Sequence, residues 1–299
     1  MLLQGVSYFK FRELLSRKDS LFQVKKTLNL RGNLVSLETP KVMGILNVTP
    51  DSFFEGSRIG TENLILQRAE NMLADGAFIL DIGGYSTRPG AGNISTEEEI
   101  ERIIPAIEAI LKNFPRTNIS IDTFRANVAK AAVEAGASIV NDVSGGNLDD
   151  QMFQTVADLS VPYILMHMRG TPETMNGLTN YEHLLNDIAL DLSRKCDALQ
   201  NLGVKDIIID PGFGFAKSIE QNYEILRNLG FFKRLKHPLI AGLSRKSMIY
   251  KTLDSSPEKA LNGTTALNMA ALINGASILR VHDVKEANET IRLYKAYKG

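Results

Sequence analysis

Eight short apolar runs alternate with longer segments of helical periodicity, and this alternation is what most constrains the fold of the chain. Between the runs, as in residues 96–114 and 181–203, apolar residues recur at three- and four-residue spacing, which is typical of amphipathic helices. Eight β-α units within about 260 residues predict an α/β fold of the (β/α)8 TIM barrel type. A doubly wound open sheet is the main alternative, but it favours a glycine-rich first turn, whereas the first turn here reads Asn-Val-Thr-Pro-Asp. The runs span residues 42–48, 78–84, 118–123, 138–145, 162–168, 206–212, 238–245 and 277–283.

Two segments precede the first barrel strand. Residues 27–40 alternate polar and apolar side chains around Arg31, Gly32 and Asn33, which predicts an N-terminal β-hairpin. Residues 1–26 are amphipathic and carry no recognisable motif. We therefore expect a short N-terminal extension over 1–26 and a single barrel domain over 27–299.

The composition argues against several classes of function. The 34 Lys and Arg balance the 34 Asp and Glu, and zero net charge argues against a broad binding surface for nucleic acid or membrane. No run approaches the roughly 18 apolar residues of a membrane span, and Lys10, Arg12 and Glu13 interrupt any signal-peptide core. The single cysteine, Cys196, excludes an intramolecular disulfide and a cysteine-based metal cluster, so we expect a cytoplasmic protein.

Polar residues stand at or just past the carboxyl end of every predicted strand. In a barrel of this type the chemistry lies where the strands end. One buried polar group is usually a satisfied core residue, but a full ring of them predicts a pocket lined by both signs of charge. The residues are Asn47, Asp81, Asp122, Asn141, His167, Asp210, Lys246, and Arg280 with His282.

The carboxylates and amides of this ring suit a flat heterocycle that carries N–H donors. Asp122, Asn141 and Asp210 belong to this group, because a carboxylate can accept two parallel N–H bonds. His167 is more readily interpreted as a structural hydrogen-bonding histidine than as a catalytic one.

The cationic residues suit an anion, and the first loop offers oxygen ligands for a metal. Arg88, Arg280 and His282, with Arg245 nearby, provide donors for phosphate. Asn47, Asp51 and Glu55 provide the hard oxygens that Mg²⁺ prefers. There is no H-E-x-x-H and no P-loop, so zinc chemistry and nucleotide hydrolysis lack support.

Three glycine-containing segments add weaker signals, since tight β-α turns need glycine in any case. GGYSTRPGAG (83–92) is a positively charged loop long enough to cover a site, and DPGFGF (210–215) presents two exposed aromatics after a strand-end carboxylate, which could cover a planar ligand. GLSRKS (242–247) leads into a helix, whose N–H groups and Ser247 can hold a carboxylate.

Taken in order, these stretches resemble the dihydropteroate synthase family, the pterin-binding TIM-barrel enzymes of folate biosynthesis. The resemblance covers roughly nine tenths of the chain, from residue 27 to 298. The matching stretches are MGILNVTPDSF, DIGGYSTRPGA, SIDT, IVNDVSGG, MHMRG, DPGFGF, LSRKS and RVHDV.

The resemblance implies a reaction and its partners. 6-Hydroxymethyl-7,8-dihydropterin diphosphate would condense with para-aminobenzoate to give 7,8-dihydropteroate and pyrophosphate. The transition state would be carbocation-like (SN1-type), and Mg²⁺ would assist departure of the diphosphate. By analogy with the family we expect a homodimer.

The resemblance also implies roles at matching positions. The catalytic residues would be Asp122, Lys246, Arg280 and Asn47, and Asn47 would also bind Mg²⁺. The pterin would contact Asp122, Asn141, Asp210, Lys246 and Met166, and the diphosphate would contact Asn47, Thr87, Arg88, Arg280 and His282. Para-aminobenzoate would contact Thr87, Pro89, Phe215 and Ser247. The mobile loops would contribute Asp51, Phe53, Glu55 and Arg88.

The chain departs from the family pattern at three loop positions. Phe54 and Glu55 stand where a small polar residue and Asp are usual, and Tyr85 stands where Glu is frequent. Two alternatives share the scaffold, namely a corrinoid-linked methyltransferase with a pterin-binding barrel and an inactive paralogue that only binds ligand. Arg88, Ser247, Arg280 and His282 argue against the methyltransferase, which needs neither a pyrophosphate site nor a carboxylate site.

Overall fold

The structure is a computed structural model that describes residues 23–48, 58–85, 94–171 and 173–299. Eight parallel strands follow one another in the spatial order β8-β7-β6-β5-β4-β3-β10-β9, and a parallel bridge from Ile209 to Leu239 joins the two ends. The nearly closed barrel confirms the predicted (β/α)8 fold, and the open doubly wound sheet is excluded. The strands are β1 (Thr27–Leu30), β2 (Asn33–Ser36), β3 (Lys41–Asn47), β4 (Ile79–Gly83), β5 (Asn118–Asp122), β6 (Ile139–Asp142), β7 (Tyr163–Met166), β8 (Ile207–Asp210), β9 (Ile240–Ala241) and β10 (Ile278–Val281).

Helices follow each barrel strand and cover the outside of the sheet. The final crossover, from β9 to β10, contains two α-helices where the sequence predicted one. None of the helices within the described residues has the length and apolar character to cross a membrane. The α-helices are α1 (Arg58–Ala74), α2 (Thr96–Asn113), α3 (Ala126–Glu134), α4 (Met152–Leu159), α5 (Leu184–Asn201), α6 (Ile219–Arg227), α7 (Ser247–Tyr250), α8 (Leu261–Ile273) and α9 (Val284–Lys298), with 3₁₀ turns at Met175–Gly177, Leu229–Leu235 and Pro257–Lys259.

The predicted hairpin is present and belongs to the barrel's core. β1 pairs antiparallel with β2 through Arg31 and Gly32, whose φ values of 52° and 79° suit a tight hairpin turn. Its buried leucines pack with one apolar residue from each of seven barrel strands, while the alternating residues of those strands pack against the helices. The hairpin therefore fills the amino-terminal end of the barrel. This cluster comprises Leu28, Leu30, Leu37, Met43, Ile79, Ile139, Ile164, Ile208, Ile240 and Ile278.

The inward face of the strands changes from apolar to polar within two residues. Side chains of a strand alternate between faces, so the residue two positions after each apolar one also points into the barrel. Ile79 is followed in this way by Asp81, Ile139 by Asn141, Ile208 by Asp210 and Ile278 by Arg280. The barrel thus has an apolar floor with a polar layer directly above it.

The floor makes a test of packing possible away from the polar layer. Ile208→Val removes one buried methylene and should lower the free energy of unfolding by about 0.5–1.5 kcal/mol. Ile273→Val is the matched control, because Ile273 on α8 is 51% exposed. Denaturant unfolding of both variants checks the prediction, and an equal loss in the two would contradict it.

Candidate active site

Arg280 lies at the centre of the polar layer and bridges two carboxylates. Its Nε is 2.7 Å from Oδ2 of Asp81, and its Nη2 is 2.5 Å from Oδ2 of Asp122. Asn141 donates from Nδ2 to the same Oδ2 of Asp81 at 3.1 Å. Strands β10, β4, β5 and β6 are thereby connected by one buried network of charge-assisted hydrogen bonds.

Two carboxylates share one guanidinium in this network, and the pKa values of Arg280 and Asp122 reflect it. Burial alone would lower the pKa of Arg280, but the charges of Asp81 and Asp122 outweigh it and raise that pKa. Burial raises the pKa of Asp122 to about 7, with Arg280 opposing the shift and Asp81 adding to it. The carboxyl group of Asp122 therefore changes charge near neutral pH.

The raised pKa of Asp122 predicts how stability depends on pH. The folded state holds this proton up to about pH 7, whereas the unfolded chain releases it near pH 4, so stability falls as the pH rises from about 4 to 7 and the loss ends above pH 7. Between pH 5 and 7 the wild type should lose about 2 kcal/mol that Asp122→Asn does not lose. Denaturant unfolding of both proteins at each pH checks this, and a constant difference between them would contradict it.

Asp210 and Lys246 form the second charged part of the site. Oδ1 of Asp210 accepts the Gly212 N–H at 2.7 Å, and Nζ of Lys246 donates to the carbonyl of Phe213. The same Nζ lies 4.4 Å from the centroid of the Phe215 ring. The prediction that both aromatics of this segment are exposed is wrong for Phe213, whose ring is fully buried in the core between sheet and helices. Burial lowers the pKa of Lys246 to about 8, while the charge of Asp210 opposes the shift. Burial likewise raises the pKa of Asp210, and Lys246 opposes it.

Asn47 stands at the same level of the barrel as Asp122. Strand register pairs Asn47 with Gly83 and Gly83 with Asp122. A Cβ built on Gly83 would lie 3.6 Å from both Oδ1 of Asn47 and Cβ of Asp122, so the absent side chain leaves these two groups facing a common space.

Asn47 fits the Mg²⁺ ligand expected at this position. Mg²⁺ prefers oxygen ligands and usually takes only one or two from protein, with phosphate and water supplying the rest. The amide oxygen of Asn47 is such a ligand, and it lies at the mouth. Within the described residues, no three His, Cys, Asp or Glu side chains are grouped to hold a metal ion.

The end of β10 carries His282, and the loop after β9 carries Arg245. Nδ1 of His282 lies 3.0 Å from Oγ of Ser244, which also accepts the His282 N–H at 3.2 Å. Arg245 makes a two-pronged ion pair with Asp283, at 2.6 and 3.0 Å. The guanidinium expected to serve an anion is thus already paired with a carboxylate of its own chain.

The helix after Lys246 is shorter than the glycine-rich segment suggested. Lys246 is the N-cap of α7, and this helix contains four residues, starting at Ser247. A helix of one turn contributes little dipole, so Ser247 itself is the better candidate for binding a carboxylate.

His167 belongs to the supporting structure, as the sequence favoured. It is 2% exposed, and its Nδ1 lies 3.1 Å from Nζ of Lys217. Burial, together with the charge of Lys217, lowers the pKa of His167 to about 2, so the imidazole is neutral.

Tyr85, one of the departures from the family pattern, has a defined place. Its ring meets Phe124 edge-on at 5.2 Å, and the guanidinium of Arg125 lies 5.4 Å from its centroid. Arg125 in turn pairs with the buried Glu99 at 2.6 Å. An aromatic ring at position 85 therefore packs into a cluster beside the mouth.

The structure brings together six of the candidate residues that it describes, while His282 and Ser247 follow Arg280 and Lys246 closely in the chain. Asn47, Asp122, Asn141, Asp210, Lys246 and Arg280 share the mouth, and Met166 packs in an apolar cluster to which Phe215 also belongs. Asp81 and Lys217 are additional members that the sequence left without a role. The remaining candidates lie outside the described residues, namely Asp51, Phe53, Glu55, Thr87, Arg88 and Pro89, as does Phe54.

Comparison with known proteins identifies the family. Residues 43–282 match the family described as pterin binding enzyme. The dihydropteroate synthase of Synechocystis sp. is 47% identical over 247 residues, covering 82% of this chain and 85% of the relative. The folic acid synthesis protein fol1 of Schizosaccharomyces pombe is 46% identical over 266 residues, covering 86% of this chain but only 36% of fol1. This chain thus spans about a third of that fungal protein and most of the bacterial synthase.

Solved structures agree with the sequence comparison. A Yersinia pestis dihydropteroate synthase in complex with a sulfonamide drug superposes with a TM-score of 0.85 at 38% identity, covering 91% of this chain and 99% of the other. A Xanthomonas albilineans dihydropteroate synthase with 4-aminobenzoic acid gives a TM-score of 0.84 at 37% identity, covering 92% and 98%. With the polar layer above an apolar floor and the order of motifs, these matches show that the chain belongs to the dihydropteroate synthase family of pterin binding enzymes.

Proposed function

We propose that this chain condenses 6-hydroxymethyl-7,8-dihydropterin diphosphate with para-aminobenzoate, giving 7,8-dihydropteroate and pyrophosphate. The observation that carries the proposal is the polar layer at one mouth of the barrel, in which Asp81, Asn141 and Asp210 are buried and Asp122 and Arg280 are half-buried. A soluble folded core has little use for so many buried charges unless a ligand or reaction uses them. The crystal structure of the Xanthomonas albilineans relative with 4-aminobenzoic acid supports the choice of second substrate.

The pterin ring would bind to the carboxylates and amide of the layer. The Asp210 carboxylate would accept hydrogen bonds from two adjacent N–H groups of the ring. The Asn141 amide would donate to, and accept from, other atoms on the ring edge. Asp122 would lie against the ring, and Lys246 would donate to a ring acceptor. Met166 would form the apolar wall, because it already clusters with Phe215 and Phe124.

Bond breaking would start at the exocyclic methylene group. The C–O bond to the diphosphate breaks, the electron pair leaves with pyrophosphate, and positive charge develops on the methylene and ring. Asp122 would stabilise that charge, while Arg280 and His282 would bind the negative leaving group. The pKa of about 7 for Asp122 means that this carboxylate is mostly ionised only above neutral pH.

Asn47 would hold Mg²⁺ together with the diphosphate oxygens. When bound, the ion would neutralise charge on the departing pyrophosphate. The protein's own contribution at this position is to orient the amide oxygen of Asn47 beside Asp122.

Para-aminobenzoate would bind nearer the rim. Phe215 would contact its ring and Ser247 its carboxylate, with Thr87 and Pro89 completing the site. Its amine nitrogen would form the new C–N bond to the methylene carbon and then lose a proton. No covalent bond to the protein is needed in this sequence of steps.

A coupled assay tests the proposed function. Purified protein is incubated with Mg²⁺, the pterin diphosphate and para-aminobenzoate, and 7,8-dihydropteroate and pyrophosphate are both quantified. Equal amounts of the two products that increase with time are expected. Pterin binding without product would instead support a methyltransferase or an inactive paralogue, and omission of para-aminobenzoate is the control for simple hydrolysis of the diphosphate.

A further inference from the structure

Lys217 is a buried ammonium directly behind the candidate substrate sites. It is 9% exposed, and its Nζ donates to the carbonyl oxygens of Gly212 at 2.9 Å and Phe215 at 2.8 Å. The third close acceptor is Nδ1 of His167, at 3.1 Å. A lysine ammonium has three N–H donors, so these three acceptors match its full capacity.

The two carbonyl groups lie at the two ends of a tight turn, residues 212–215, in the loop that follows β8, and the Phe215 N–H closes this turn on the Gly212 carbonyl at 3.2 Å. The N–H of Gly212 binds Asp210, and a Cβ on Gly212 would lie 2.1 Å from the His167 carbonyl oxygen, so this end is pressed against β7. At the other end, Phe215 presents its ring to Lys246. One ammonium group thus connects the backbone next to the candidate pterin carboxylate with the backbone of the candidate para-aminobenzoate residue.

Side chains, rather than regular secondary structure, hold the rest of this loop. The Tyr181 hydroxyl donates to the carbonyl of Ala216 at 2.9 Å, and Oδ1 of Asn222 accepts the Gly214 N–H at 2.7 Å. Backbone polar groups outside helices and sheets need such partners when they are buried. Asn222 also donates to the carbonyl oxygens of Lys217 and Ser218, at the end of the loop, whereas the Lys217 ammonium binds the turn that carries Phe215.

If the role were purely structural, neutral donors could satisfy these carbonyl groups at a lower desolvation cost than a buried ammonium. Burial, with the charges of Lys246 and Arg169, lowers the pKa of Lys217 to about 7, and the charges of Asp210 and Asp191 oppose the shift, so the ammonium form is costly at this place. Its charge also favours the ionised form of Asp210. The location of this charge therefore points to the site rather than to the core.

We infer that Lys217, assisted by Tyr181, is a positioning residue for the condensation, holding the loop so that the Phe215 ring faces para-aminobenzoate beside the pterin bound at Asp210. Lys217 acts through the Gly212 and Phe215 carbonyl groups and does not touch either substrate. The inference rests on the proposed function.

Steady-state kinetics of Lys217→Met test the inference, because methionine keeps most of the stem and loses the ammonium. We expect the KM for para-aminobenzoate to rise at least tenfold and the KM for the pterin diphosphate to rise less than threefold. Lys25→Met is the matched control, since Lys25 also donates to a backbone carbonyl, that of Lys205, and pairs with Asp206 at the opposite end of the barrel. A purely structural role would lower kcat with the folded fraction and leave both KM values unchanged, which would overturn the inference.

Two further measurements keep the inference falsifiable. If Lys217→Met is too slow for kinetics, calorimetric titration with para-aminobenzoate in the presence of Mg²⁺, pterin and pyrophosphate uses the same tenfold criterion. If it does not fold, Tyr181→Phe removes a single hydroxyl from the same loop, and a selective rise of threefold or more is expected. An unchanged ratio of the two KM values in that variant overturns the inference. Absence of product from the wild type would instead refute the proposed function, and the inference with it.

Discussion

Arg280→Ala is expected to lower the rate of product formation about a hundredfold and to destabilise the fold as well. Losing a charge-assisted contact to the leaving group costs about 3 kcal/mol in the transition state. Removing the guanidinium also leaves Asp81 and Asp122 without their shared partner, and breaking a buried ion pair costs about 3–5 kcal/mol. The stability loss should be larger at pH 8 than at pH 5, because a protonated Asp122 needs no cation.

Kinetics and denaturant unfolding at both pH values measure the two effects separately. Arg280→Lys keeps the charge but not the fork that reaches both carboxylates, so it should retain more stability than activity. Arg234→Ala is the control for loss of an arginine, since Arg234 is exposed and lies on Phe231 away from the mouth. Unchanged turnover in Arg280→Ala would refute the role assigned to Arg280.

Asp210→Asn is expected to weaken pterin binding by about 10- to 100-fold. An amide cannot accept two ring N–H bonds, and a hydrogen bond to a charged group is worth about 1.5–3 kcal/mol. The amide oxygen can still accept the Gly212 N–H, so the loop after β8 should keep its conformation. The expected defect is therefore in affinity rather than in folding.

Calorimetric titration with the pterin measures this affinity. Asp206→Asn is the matched control, because Asp206 precedes the same strand at its other end and binds Lys25 and the N–H of Asn29. That variant should lose some stability and keep its pterin affinity. Equal pterin affinity in Asp210→Asn and wild type would mean that the ring binds elsewhere.

The sequence predicts the barrel and its mouth because both follow from periodicity. Strand-end positions such as Asn47, Asp122 and Asn141 lie at one level, since parallel strands present their carboxyl ends together. The partners of these residues do not follow from periodicity. Asp81 and Arg280 are 199 residues apart, and their pairing depends on how the barrel closes.

Two other features, the length of β9 and the burial of Lys217, do not follow from the sequence pattern. The run at 238–245 predicts a strand, but β9 contains only Ile240 and Ala241. Leu243 is fully buried although it lies outside β9. The apolar pattern therefore indicates which residues are buried, and does not indicate which residues pair in the sheet. No sequence pattern indicates the role proposed for Lys217. Lysine is usually exposed, and only the contacts in the folded structure show that Lys217 is buried.

The hairpin across the amino-terminal end of the barrel has a consequence for how ligands enter and leave. Because Leu28, Leu30 and Leu37 fill that end, the barrel interior is reached from the carboxyl ends of the strands. In the proposed reaction both substrates would enter and both products would leave through this mouth, so the ligand bound deeper in the barrel would bind first and leave last. The order of binding would then follow from the shape of the barrel, because a ligand bound at the rim blocks dissociation of the ligand bound below it.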